Sequence, residues 1–136
     1  MAFVVDASAI AAWVLPDESN PVADLVAARL TSESASAPGI WWFEIRNILV
    51  MAERRGRIVP NDTVEALALL TELEVEQPSD VDEALLLGLA RAHRLSLYDA
   101  AYLELAVRTK LPLATTDRAL IKAALAEGVP LIGLDG

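Results

Sequence analysis

The chain has 136 residues, 54% of them hydrophobic, a mean hydropathy of +0.40 and no cysteine. This is enough apolar material for one compact core, and it excludes a disordered chain, a disulfide framework, a cysteine zinc site and a thiol nucleophile. Eleven Lys and Arg against twenty Asp and Glu give a net charge of −9, which argues against a general nucleic-acid binder, because phosphate contacts draw on basic charge.

Met1-Ala2-Phe3-Val4-Val5-Asp6 lacks a basic run and meets a carboxylate at once, unlike a secretory signal. Apolar stretches such as Ala84 to Ala90 fall far short of the ~20 residues of a membrane helix. The expectation is a single cytoplasmic domain over residues 1–136 that does not enter a membrane. Phe3-Val4-Val5 predicts a strand, and Ala7 to Leu15 a helix stopped by Pro16. Asn20-Pro21 supplies a cap and an N1 proline for a second helix running to Leu30. A serine-rich loop follows, with a short strand near Ala35 to Ala37.

A third helix is predicted from Ile40 to Arg55, with Trp41, Ile45, Ile48, Leu49 and Ala52 at helical spacing and Gly56 at its end. A fourth spans Asn61 to Leu73, and Val75 between Glu74 and Glu76 has the alternation of an exposed strand. Helices from Val81 to Arg94 and from Ser96 to Lys110 come next. Leu113-Ala114-Thr115 and Leu131-Ile132 are strand candidates around a last helix, Arg118 to Glu127, closed by Gly128. Strands alternating with helices predict an α/β fold with a short parallel sheet covered by helices on both faces. In such sheets, ligands gather beyond the carboxyl ends of the strands.

Four carboxylates stand out. Asp6 and Asp117 each follow a strand and precede a helix, so each either caps that helix or serves a site at the sheet edge. Ser96-Leu97-Tyr98-Asp99 fits a capping box with Asp in the last position, yet Asp99 shares its helix face with Leu95, Tyr102, Leu103 and Ala106. Glu44 interrupts an apolar stripe of Trp41, Ile48 and Met51, with Asn47 as the polar neighbour. A buried anion there needs a metal or a distant Arg as partner. If the four converge, their repulsion requires a cation, and oxygen-only ligands select a hard ion such as Mg²⁺ or Mn²⁺. That combination suits hydrolysis of a phosphodiester.

Val4-Val5-Asp6-Ala7-Ser8-Ala9, Glu44 with Asn47, Tyr98-Asp99-Ala100-Ala101-Tyr102-Leu103 and Leu113-Ala114-Thr115-Thr116-Asp117 together resemble the PIN-domain nucleases. Within that family the chain looks most like the VapC-type ribonuclease toxins of toxin and antitoxin pairs. The resemblance implies a PIN-like three-layer α/β/α fold and makes Asp6, Glu44, Asp99 and Asp117 the catalytic, metal-binding acids. Ser8 and Thr115 are implied as supporting hydroxyls, and Asn47 as a residue that orients Glu44. It further implies an RNA substrate, a cognate antitoxin and a homodimer.

Arg118, Arg46 and Lys122 are candidates for the RNA backbone, with Arg54, Arg55 and Arg57 either joining that rim or complementing a helix end. Adjacent Trp41 and Trp42 cannot both point inward on one helix, which leaves Trp42 as a candidate partner contact. The lone His93 is placed to stabilise a helix end and cannot support a two-histidine ribonuclease. No dinucleotide or P-loop glycine pattern occurs. The rival readings are a catalytically silent PIN-like module whose acids merely cap helices, and a Mg²⁺-dependent phosphatase, for which Asp6-x-Ser8 lacks a second Asp.

Overall fold

A computed structural model describes residues 2–15 and 20–133; Pro16, the expected stop of the first helix, lies outside the described residues. Three parallel strands, β1 (Ala2–Val5), β2 (Ser34–Ser36) and β3 (Leu113–Ala114), form a sheet in the order β2-β1-β3. Seven helices surround it among the described residues, giving the three-layer α/β/α arrangement that the sequence predicts. Phe3, Val4 and Val5 are fully buried, as a central parallel strand covered on both faces requires.

Register pairs Phe3 with Ala35 on one side, and Val4 with Leu113 and Val5 with Ala114 on the other. The strands expected at Val75 and at Leu131-Ile132 shrink to single bridges, Glu76 to Ser36 and Leu131 to Leu113. Each is held by two backbone hydrogen bonds to one residue of chain, with Glu76 between Ala35 and Ala37, and Leu113 between Pro130 and Ile132. Pro78 and Pro130 lie next to these segments and have no N–H for a longer ladder.

The helices follow the expected order: α1 (Ala7–Val14), α2 (Pro21–Arg29), α3 (Ile40–Arg54), α4 (Pro60–Leu73), α5 (Glu83–His93), α6 (Leu97–Thr109) and α7 (Arg118–Ala126). Gly56 and Gly128 adopt the left-handed conformation just beyond α3 and α7. Trp41, Ile45, Leu49 and Ala52 form the buried stripe of α3. Helix α6 packs on β1, β3, α5 and α7, so its residues 102–106 are all buried. One of them is Glu104, which accepts hydrogen bonds from Arg108 Nε at 2.6 Å and from the Asp82 amide at 3.0 Å. The Arg108 pair is an i, i+4 contact within α6, and the Asp82 amide ties α6 to the start of α5.

Asn20 caps α2, its Oδ1 accepting from the Ala23 amide at 2.7 Å. Asn20→Ala is expected to lower the free energy of unfolding by about 1 kcal/mol in urea titrations with an unchanged m-value. An unaltered midpoint would show that the cap contributes nothing in solution.

Candidate active site

Both ends of strand that face the helix amino termini carry an acid. β1 runs into Asp6, whose amide donates to Ala114 O at 2.9 Å, and β3 is followed by Thr115-Thr116-Asp117. Helix α3 brings Glu44 to the same edge of the sheet, and the first turn of α6 brings Asp99. A cavity of about 240 Å³ is lined by Asp6, Ala7, Ser8, Glu44, Asn47, Ile48, Asp99 and Asp117, with no Lys, Arg or His among them.

Asp6 occupies the N-cap position of α1, but its carboxylate makes no cap hydrogen bond. Instead Oδ2 accepts from the Ser8 hydroxyl and the Thr115 hydroxyl, each at 2.7 Å. Asp6 is thus held by one hydroxyl from the first turn of α1 and one from the segment after β3, rather than by a cap hydrogen bond. The two hydroxyls are themselves anchored: Ser8 Oγ accepts from the Thr116 amide at 3.2 Å, and Thr115 Oγ1 from the Asp117 amide at 3.0 Å. Asp117 does cap, with Oδ1 accepting from the Leu120 amide at 3.0 Å. For Asp99, Ser96 Oγ accepts its amide proton at 3.1 Å, and the side chain is only partly buried rather than sunk in the apolar face.

Glu44 finds a partner that neither sequence alternative named. The phenol of Tyr102, from α6, donates to Glu44 Oε1. Neither a distant Arg nor Asn47 hydrogen-bonds Glu44 among the described residues; Asn47 is exposed and lines the cavity mouth. The signal was present as a polar-tipped aromatic three residues after Asp99, on the face that meets α3, but it reads equally well as core.

The carboxyls repel one another through the cavity. Burial raises the pKa of Asp6 above the ordinary carboxylate value, and the charge of Asp117 adds to this against the hydrogen bonds from Thr115 and Ser8. Glu44 is raised by burial and by Asp6 and Asp99, opposed by the Tyr102 hydrogen bond. Asp99 is raised by burial and then by Asp117 and Asp6.

The set fits a hard divalent cation by its chemistry, with only oxygen donors around a cavity that no cationic side chain lines. Among the described residues no three of these acids form a ready-made chelate. Such closure is not needed by Mg²⁺, which keeps several waters and takes one or two carboxylates directly.

The expected basic rim is only partly present. Arg46 donates to Trp42 O at 3.0 Å, and its guanidinium lies 3.6 Å from the centre of the Trp42 ring. It lines a separate cavity with Trp41 and Gln77, because two residues along a helix turn a side chain nearly to the opposite face from Glu44. Lys122 lies beside His93 and Arg94 in another cavity, and Arg118 is exposed without lining the acidic one. The basic groups that adjoin it are Arg55 and Arg57, in a cavity of about 430 Å³ that shares Ser8, Asn47 and Ile48 with the acidic one.

Trp41 is buried, whereas Trp42 and Phe43 are 43% and 65% exposed and in edge contact. His93 Nε2 meets Glu127 Oε2 at 2.7 Å, pairing α5 with the end of α7.

The PIN domain model matches residues 3–126 of the chain. The chain is 32% identical over 124 residues to Ribonuclease VapC3 of Pyrobaculum aerophilum, an alignment covering 88% of this chain and 92% of that protein. Its fold matches the crystal structure of PAE2754 from Pyrobaculum aerophilum with a TM-score of 0.71 at 22% identity, over 90% of this chain and 84% of the other.

Proposed function

The chain belongs to the PIN-domain family, with a VapC-type relative along most of its length, and from that membership we propose that it is a Mg²⁺- or Mn²⁺-dependent endoribonuclease toxin, held inactive by a cognate antitoxin. The reading takes residues 1–136 as one such domain, acting in the cytoplasm as a homodimer. No helix among the described residues is long and apolar enough to cross a membrane. The observation that carries the reading is four carboxylates around one cavity with no cationic side chain in its lining.

Asp6, Glu44, Asp99 and Asp117 would hold the cation. When bound, a divalent ion supplies the positive charge that a phosphodiester requires in an acidic crevice and makes water a better nucleophile. Ser8 and Thr115 fix Asp6 Oδ2, and the Leu120 amide fixes Asp117 Oδ1, so two of the acids are oriented before any ligand arrives. Arg55 and Arg57, in the adjoining cavity, suit the RNA backbone on one side of the scissile bond. Trp42 and Phe43 supply the exposed aromatic surface expected of a protein partner.

The silent-module reading needs the acids as helix caps, which the Asp6 carboxylate is not. The deciding experiment incubates the antitoxin-free protein with RNA in Mg²⁺ and in EDTA and maps the cut ends. Internal cuts with 5′-phosphate ends, present in Mg²⁺ and absent in EDTA, are expected. Intact RNA from folded protein under both conditions would favour the silent module.

A further inference from the structure

Glu44 reaches the acidic cavity on a long side chain from the middle of α3, and nothing on its own helix secures it. Asp6 and Asp99 carry like charge toward it, so an unrestrained carboxylate at this half-exposed position would swing toward solvent. Tyr102 stands one turn after Asp99 on α6, is 0% exposed, and donates its hydroxyl proton to Glu44 Oε1.

We propose that Tyr102 is a positioning residue for the reaction, a buried phenol that holds the Glu44 carboxylate in the acidic cavity and ties α3 to α6. The inference rests on the metal-dependent nuclease reading. In that setting the phenol acts as an outer-shell partner that orients a ligand. Its rigidity comes from full burial among the core side chains.

The test uses the full chain with Tyr102→Phe, which keeps the ring and removes the hydroxyl. Mn²⁺ affinity by calorimetry is expected to weaken roughly 10- to 100-fold, and kcat for RNA cleavage to fall with KM for RNA unchanged. In a Glu44→Ala background, Tyr102→Phe is expected to change Mn²⁺ affinity no further. A purely structural tyrosine would lower the melting temperature while leaving Mn²⁺ affinity intact, or would weaken binding equally in both backgrounds; either result overturns the proposal. If Tyr102→Phe does not fold, Glu44→Asp, which keeps the charge but is one methylene too short to reach the phenol, must show the same weakened Mn²⁺ binding. Wild-type affinity in Glu44→Asp would then overturn it. Absence of Mn²⁺ binding by the wild type would remove the nuclease reading and this inference together, whereas tight wild-type binding with an unaffected Tyr102→Phe removes the inference alone.

Discussion

Asp6→Asn is expected to lose RNA cleavage by more than roughly a hundredfold, beyond what loss of an outer-shell partner costs, and yet to melt at a higher temperature than the wild type at pH 7 in EDTA. The activity loss follows because Asp6 is the most buried of the four acids, with 7% exposure, and the one fixed by two hydroxyls. Asn keeps one acceptor oxygen for those hydroxyls but carries no charge for a cation.

The stability gain follows from linkage. Asp6 has its pKa raised on folding above the ordinary 3.8, so between the two values the folded chain holds a proton that the unfolded chain has released. Stability then falls as pH rises through that interval, and the whole penalty is present at pH 7. Asn has no proton to lose, so the variant escapes the penalty. Thermal melts from pH 3 to 7 in EDTA, with cleavage assays in Mg²⁺, test both halves. Cleavage at the wild-type rate would remove Asp6 from the site, and a lower melting temperature at neutral pH would show that the native carboxylate is compensated by something other than a cation.

Mg²⁺ should raise the melting temperature of the wild type progressively with its concentration, reaching about 2.7 kcal/mol of added stability at a hundred times its dissociation constant. Three carboxyls around the cavity, Asp6, Glu44 and Asp99, are raised by burial and by one another or by Asp117, and a cation relieves all of them at once. The decline of stability with pH should accordingly flatten when Mg²⁺ is present. Sodium chloride at matched ionic strength separates the causes, since screening acts on exposed charges far more than on buried ones. Equal stabilisation by both salts would mean that no site is filled.

Much of this fold is legible from side-chain periodicity and caps. Asn20-Pro21, Gly56 and Gly128 mark helix ends through local chemistry that operates wherever the chain sits, and α2, α3 and α7 end close to where those residues predict. Helices α4, α5 and α6 also end within one residue of where the apolar periodicity runs out, although Glu74, Arg94 and Lys110 close them in the left-handed conformation without a glycine, a backbone state that the residue types themselves do not announce. The sheet edges at Glu76 and Leu131 were over-read because alternation and apolar content do not reveal whether a neighbour lies alongside for more than one residue.

The candidate site divides in the same way. The four acids were visible as charges in the wrong places, two after strands and two on helix faces, and the resemblance grouped them. Their partners were not, because hydrogen bonds such as Thr115 to Asp6 and Tyr102 to Glu44 join residues 109 and 58 positions apart, and no local rule chooses among distant donors. The placement of the basic groups is legible only in part, for a related reason. Arg46 is close to Glu44 in sequence but its guanidinium is engaged by Trp42, whereas Arg55 and Arg57 reach the neighbouring cavity from beyond the end of α3.

The strand order β2-β1-β3 places the first strand of the chain in the middle of the sheet. During synthesis β1 emerges well before β3, and it gains its second neighbour only when Leu113-Ala114 has been made, with Asp117 later still. Long-range pairings of this kind form late, because the loop must close before any contact repays it. The acidic cavity is therefore among the last features a nascent chain can assemble.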